Sequence, residues 1–332
     1  MSQLMISLDK NIFNFDSAAA RRMIEYGEKN ELFIVIPDND KRYLDLSAKV
    51  HVWGTGGSKF SQFFRLLYTG NKIIHNSRFI IQDSLITTQD PFFTGLAGLL
   101  LKRKGTIFET QVHGDFYGSD YYQKSGLTNK IRFHIGKFLL PRADKVRTVS
   151  ERVKQSLIKI GVKSEKIEIK PIQVDFEKIK NYQPKFDLHQ KYPDYEKIFL
   201  VLGRFDAVKN IRWLIEVFCE VVKQKNYLLL IIGSGPDGHN ITTHATRCML
   251  RKNIKFEPWT NDPISYIKTA DCLLFPSLSE GYGLAAMEAN ATGTQVIMTD
   301  VGVANYELKP GPKVKIAPVG DKEKFIQEIL QI

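Results

Sequence analysis

The chain has 332 residues, 43% apolar and 25% charged, with 47 Lys and Arg against 36 Asp and Glu for a net charge of +11. That length favours two domains, and the composition excludes a disordered chain. Three cysteines without a CxxC pair, Cys219, Cys248 and Cys272, argue against a disulfide framework or a cysteine zinc site and suit a cytosolic compartment. No apolar run approaches the ~18 residues of a membrane span. The start, MSQLMISLDK, lacks a basic segment followed by an apolar one, so no signal peptide is expected.

The predicted elements alternate between short β runs and amphipathic helices. In the first half, 4–8, 31–37, 49–54, 106–113, 145–150 and 166–171 read as strands, with helical spacing over 17–29, 59–68, 92–103, 127–140 and 150–160. The stretch 175–196 holds two prolines, many charges and weak periodicity, and reads as a linker. The second half continues with strands at 197–203, 227–233, 254–258, 271–276 and 295–300, and helices at 209–224, 239–252, 262–269, 284–292 and 321–331. Such alternation predicts βαβ units, hence an α/β fold of two doubly wound parallel sheets. The domains would cover 1–175 and 197–332, joined by the linker 176–196, with ligand sites at the strand C-terminal ends facing each other across a cleft. The charge is unevenly divided: residues 1–180 hold 29 basic against 19 acidic residues, and residues 181–332 hold 18 against 17. The excess in the first half suits an anionic partner such as lipid headgroups, a phosphate-bearing acceptor or nucleic acid, or is a solvated surface.

Motifs concentrate in the second half. Gly203 and Arg204 end the first strand there, and Lys209 opens the following helix. An Arg and a Lys so placed can converge on a diphosphate beside a helix N-terminus, or sit solvated on a loop. SEGYGLAAMEA at 279–289 places Glu280 in a glycine-containing loop and Glu288 inside the next helix, with Gly281 and Gly283 allowing close backbone approach. Two other patterns compete. Gly233 to Gly238 matches GxGxxG after a strand, with Glu257 about 20 residues on, as in a nicotinamide dinucleotide site. It lies on the second strand of its half, is interrupted by Pro236, and leaves Arg204, Lys209, Glu280 and Glu288 unexplained. Asp38-Asn39-Asp40 could clamp a divalent cation on a diphosphate, or be a polar turn.

Gly203-Arg204 with Lys209, the turn Gly233-Ser234-Gly235, FEPW at 256–259 and the segment from Glu280 to Glu288 together resemble the retaining nucleotide-sugar glycosyltransferases of family 4, which have the GT-B fold of two facing Rossmann-like domains. The resemblance implies that Arg204 and Lys209 hold the donor diphosphate, Glu280 the sugar hydroxyls and Glu288 the ribose. Gly203, Gly233, Gly235, Gly281, Tyr282, Gly283 and Leu284 would complete the donor site, with Trp259 bordering the nucleobase. Pro258 stands where the family usually has glycine. In the first half, QVHGDF at 111–116 is similar to the family's strand-ending His segment, which sets His113 near the transferring sugar. Ser17, Asp90 and Asp115 would face the acceptor; Asp90 could equally cap a helix. The family's closing helix would follow 321–331, where the sequence given ends.

These readings lead to an expected cytoplasmic enzyme, peripheral at an anionic membrane surface. It would move a hexosyl unit from a nucleotide diphosphate sugar to a glycan or lipid-linked hydroxyl acceptor in cell-surface polysaccharide or glycolipid synthesis. No metal, cofactor or nucleic-acid partner is expected. A nicotinamide dehydrogenase and a catalytically silent scaffold of the same fold are the alternatives.

Overall fold

Why the strands are nearly continuous apolar runs is explained by what covers them. In the computed structural model, which describes residues 2–76, 79–247 and 252–332, two mainly parallel sheets are each covered on both faces. Cys248 lies outside the described residues. The chain divides into two units, Met1–Tyr117 with Gln123–Val149 and Val153–Lys170, and Gly118–Tyr122 with Ser150–Arg152 and Pro171–Ile332.

The first unit holds β1 (Ser2–Ile6), β2 (Glu31–Ile36), β3 (Lys41–Ser47), β4 (Val50–Thr55), β5 (Ser84–Thr88), β6 (Thr106–Val112), β7 (Lys145–Thr148) and β8 (Ile167–Ile169). Their order across the sheet is β3-β4-β2-β1-β5-β6-β7-β8, all parallel except β3. Strand β2 shows the period of two: Phe33 and Val35 enter one core with Leu66, Ala97, Leu101 and Leu139, while Leu32, Ile34 and Ile36 enter the other with Ala19, Ala20 and Met23. Helix Phe93–Leu101 packs on β5 and β6, between helices Gln62–Ile74 and Gly126–Leu139.

The second unit holds β9 (Lys197–Leu202), β10 (Tyr227–Ile232), β11 (Ile254–Glu257), β12 (Cys272–Phe275), β13 (Gln295–Thr299) and β14 (Val314–Ala317), in the parallel order β11-β10-β9-β12-β13-β14. Phe199, Leu229, Leu274 and Ile297 of the sheet meet Leu214, Phe218, Phe325 and Ile329 of helices Ile211–Val221 and Lys322–Leu330.

Two features depart from the sequence reading. The supposed linker is structured and belongs to the second unit: Asp175 and Asp187 cap helices Phe176–Asn181 and Leu188–Lys191, which pack on helices Leu284–Thr292 and Pro263–Thr269. Polar composition concealed them because each buries one main anchor, Ile179 or Leu188. Strands β3, β5 and β14 also went unassigned, being an exposed edge strand or short runs of mixed polarity.

Close packing between helix Phe93–Leu101 and the sheet depends on Gly98. A Cβ there would lie 2.5 Å from Thr88 Cγ2 and 2.6 Å from Phe108 Cε2. Gly98→Ala should therefore destabilise by about 1–3 kcal/mol of overpacking, more than the roughly 0.5–1 kcal/mol alanine gains over glycine in a helix. Urea unfolding measures this, and a midpoint at or above wild type would contradict it.

Candidate active site

In an open parallel sheet, ligands bind where the strand order reverses, beyond the strand C-terminal ends. The reversal in the second unit falls between β9 and β12, and the loops leaving those strands are tied together. Leu278 N–H donates to Val208 O at 2.8 Å, and Asn210 Nδ2 to Pro276 O at 3.4 Å. Asn210 adopts φ +56° as the chain passes from the turn Ala207–Lys209 into helix Ile211–Val221.

Here Lys209 Nζ ion-pairs with Glu280 Oε1, which also accepts from Ser277 Oγ at 2.7 Å. Both charged side chains are largely withdrawn from solvent, and Lys209 lies 5.4 Å from the centre of the Phe275 ring. Arg204 is on the same loop but is not joined to Lys209: its side chain is 73% exposed and donates from Nε to Asp206 Oδ2 at 2.6 Å. Each predicted diphosphate cation thus already has a carboxylate partner. Asp206 Oδ1 and Ser279 Oγ are buried without a hydrogen-bond partner among the described residues. Tyr122, in the same unit, has its hydroxyl pKa raised by burial and then by Glu280. Asp206, Ser277, Ser279 and Tyr122 were missed by sequence reading; only the serines, within PSLSEG, had a motif neighbour to signal them.

Beyond Glu280, Gly281 and Tyr282 are buried and Leu284 is partly exposed. Gly283 takes φ +109° and starts helix Leu284–Thr292 with no side-chain cap, leaving the helix N-terminus available to an anion. Glu288, inside this helix, is half-buried, makes no hydrogen bond or ion pair with the described residues, and has its pKa raised by burial.

The glycines of the GxGxxG pattern have a different use. A Cβ on Gly233 would lie 1.9 Å from Gly203 O, and one on Gly235 would lie 2.4 Å from Phe205 O. Phe205 N–H donates to Ser234 O and Phe205 O accepts from Asp237 N–H, so the two loops are laced backbone to backbone. Glu257, the acid a dinucleotide site would need, accepts from Lys191, Tyr192 and Tyr266. Burial raises its pKa, but these hydrogen bonds outweigh burial and hold it below the ordinary value. A carboxylate so occupied is a poor ribose ligand, which weakens the dehydrogenase alternative. Two residues past β11, Trp259 is 62% exposed.

In the first unit the strand order reverses between β1 and β5, and Ser17, Asp90, His113 and Asp115 follow the adjacent strands β1, β5 and β6. Ser17 caps helix Ala18–Lys29, accepting from Ala20 N–H at 2.9 Å. Asp90 accepts from Phe92 N–H at 2.7 Å and Thr94 Oγ at 2.9 Å, so its carboxylate organises a helix start rather than projecting freely. Asp115 is buried. His113 meets Gln111 Oε1 at 3.0 Å, and desolvation, then the charge of Arg147, lowers its pKa. Asp38 does not form a cation clamp with exposed Asp40: its buried carboxylate is held by Lys10 and Arg42. Burial raises the Asp38 pKa, but these partners and Asn39 N–H hold it below its ordinary value.

Residues 19–178 match the family model described as Glycosyltransferase Family 4, and residues 184–332 the one described as Glycosyl transferases group 1. Each half of the chain is thus similar to a glycosyltransferase domain. It is 28% identical over 232 residues to alpha-monoglucosyldiacylglycerol synthase of Streptococcus pneumoniae, a match covering 65% of this chain and 52% of that protein. Matches to the curated relatives span from 28% to 63% of their lengths. In fold the chain is similar to sucrose-phosphate synthase from Thermosynechococcus elongatus, with a TM-score of 0.77 at 18% identity over 100% of this chain and 90% of the other. It is likewise similar to Anabaena HepE in complex with UDP-glucose, with a TM-score of 0.73 at 15% identity over 100% and 89%. Its α/β architecture is therefore that of GT-B glycosyltransferases.

Glu288 gives the second unit a testable pH dependence. Because folding raises its pKa, the folded state binds its proton more tightly than the unfolded state. Its contribution is present below the unfolded pKa and is lost as pH rises through the folded value. Glu288→Gln should thus gain in melting temperature relative to wild type between pH 4 and pH 7. A constant difference over that range would show that the carboxyl is not desolvated.

Proposed function

We propose that the chain is a retaining glycosyltransferase that moves a hexosyl unit from a nucleotide diphosphate sugar to a hydroxyl of a glycan or lipid-linked acceptor. The observation that carries this reading is the Lys209–Glu280 pair at the β9/β12 reversal, in the loop that leads to the uncapped helix N-terminus after Gly283. In this reading the departing diphosphate exchanges the carboxylate partners of Lys209 and Arg204 for its own oxygens, with the helix N–H groups adding favourable charge. Glu280, released from Lys209, accepts from donor sugar hydroxyls. Glu288 accepts from the ribose, and Trp259 offers an exposed ring to the nucleobase. His113 contacts the transferring sugar, while Ser17, Asp90 and Asp115 border the acceptor, Ser17 and Asp90 by shaping helix starts.

The acceptor oxygen attacks the anomeric carbon from the face the leaving group vacates. The carbon–phosphate oxygen bond breaks, and the acceptor proton passes to the departing phosphate oxygen. Three fixed positive groups supply the counter-charge, so no metal is required. Similarity to HepE in complex with UDP-glucose and to a glucosyldiacylglycerol synthase supports a nucleotide sugar and a lipid-associated acceptor. The chain would act in polysaccharide or glycolipid synthesis, at the cytoplasmic side of a membrane and without a nucleic-acid partner.

An anionic bilayer is further supported by the surface of the first domain. Segments 59–74, 92–104 and 125–142 hold ten Lys and Arg and no Asp or Glu. The three helices within them are neighbours, and Phe63 meets Phe93 edge-on at 5.3 Å. Phe60, Phe64, Tyr68, Leu127, Ile131 and Phe138 are exposed among the cations. Aromatic and aliphatic side chains can enter the headgroup region while each nearby cation adds about 1 kcal/mol.

Transfer from a panel of UDP-, GDP- and ADP-sugars, followed by NMR, tests the reaction. Lys209→Ala and Arg204→Ala should each lower turnover by roughly two to three powers of ten, EDTA should leave it intact, and the product should keep the donor's anomeric configuration. Wild-type rates in both variants, or an inverted product, would remove this mechanism. For the membrane surface, the full chain should co-sediment with phosphatidylglycerol vesicles at low salt. Phe64→Ser with Phe138→Ser should reduce the fraction that remains bound at high salt. Equal binding to neutral vesicles would refute the anionic preference.

A further inference from the structure

Alternate residues of a strand share a face, and β6 places Glu109, Gln111 and, one residue beyond the strand, His113 in such a series. Thr87 of β5 pairs in register with Glu109. These four side chains form a hydrogen-bonded chain. Thr87 Oγ1 donates to Glu109 Oε1 at 2.8 Å, Gln111 Nε2 donates to Thr87 Oγ1 at 3.1 Å, and Gln111 Oε1 meets His113 Nε2 at 3.0 Å. Thr87, Glu109 and Gln111 are buried.

The chain has a direction because its ends differ chemically. A carboxylate only accepts, so the single hydroxyl proton of Thr87 is directed to Glu109. The Thr87 oxygen is then left to accept from the Gln111 amide nitrogen. That orientation turns the Gln111 carbonyl oxygen, an obligate acceptor, toward His113. The ring nitrogen facing it must carry the proton. Desolvation, then the charge of Arg147, whose strand position pairs with Gln111, lowers the His113 pKa and so favours the neutral ring, in which only one nitrogen is protonated. At the other end, Glu109 lines a cavity of about 530 Å³ together with Lys29, Arg147 and Lys170 and the acids Glu25 and Glu28.

We propose that the Glu109–Thr87–Gln111 chain sets His113 in its Nε2–H tautomer and leaves Nδ1 as a hydrogen-bond acceptor for a hydroxyl of the transferring sugar. Glu109, Thr87 and Gln111 are positioning residues acting through His113. The assignment of the sugar rests on the glycosyltransferase reading; the tautomer does not.

Nitrogen NMR of the full chain with ¹⁵N-histidine, without substrate, separates the two parts. His113, identified by the signal lost in His113→Asn, should show a protonated Nε2 and an unprotonated Nδ1. Glu109→Gln introduces a donor at the chain's end and lifts the directional constraint. The two His113 nitrogen shifts should then move toward each other as tautomers mix. Thr87→Ser keeps the hydroxyl and should preserve the wild-type pattern, whereas Thr87→Val should not. Matching melting curves for Glu109→Gln and wild type exclude a folding defect, and Thr87→Val provides a second break in the chain. A protonated Nδ1 in wild type, or shifts that survive both Glu109→Gln and Thr87→Val, would overturn the proposal. In the transfer assay, kcat of Glu109→Gln should fall roughly two- to tenfold, in proportion to the lost competent tautomer, and Thr87→Ser should retain it. Mixed tautomers with unchanged kcat would refute the contact with sugar while leaving glycosyl transfer itself intact.

Discussion

The pairing of Lys209 with Glu280 is the constraint around which the second domain's site is arranged. A lysine and a glutamate withdrawn from water together are tolerable only because each neutralises the other, and removing either would leave an uncompensated charge. The pairing also fixes the loops after β9 and β12 relative to one another, reinforced by the Leu278–Val208 backbone bond. An incoming anion would therefore meet a cation already held in place. The cost of orienting that cation is met by folding.

The same economy of position explains the glycines nearby. Gly203, Gly233 and Gly235 lie where the loop after β9 runs against the loop after β10 at backbone contact distance. A pattern associated with pyrophosphate binding arises here because two chains must approach without side chains between them. Similar geometry serves both purposes, so the pattern alone does not identify the ligand.

Much of this was legible in the sequence because the buried parallel strands are compact apolar runs. FLVL, LLLII and CLLF state their environment directly. Strand β3, with the sequence KRYLDLS, does not: it is an edge, mostly exposed, and pairs antiparallel across a short turn. The candidate residues that the sequence singles out are those at a fixed spacing along the chain, as from Gly203 to Lys209 or Glu280 to Glu288, and of these the structure joins Lys209 to Glu280. The site was not legible where partners come from different strands. Thr87 and Gln111 are 24 residues apart, and Asp206 and Ser277 looked like ordinary loop residues. The ion pairs that occupy Asp38 were not legible for the same reason, since Lys10 reaches it from 28 residues away.

The edge strands bear on how such a fold survives its own assembly. Parallel sheets bring together segments distant in sequence, so partly formed sheets expose unpaired backbone while later strands arrive. The outer strands of both sheets are poor templates for another chain. β3 carries Lys41 and Arg42 and changes register between Asp45 and Ser47, β8 has three residues, and β11 and β14 have four each, with Lys255 and Lys315 among them. Short, charged and irregular borders discourage intermolecular strand addition. The features that left the edges β3 and β14 unassigned from sequence are therefore among those that discourage incompletely folded molecules from aggregating.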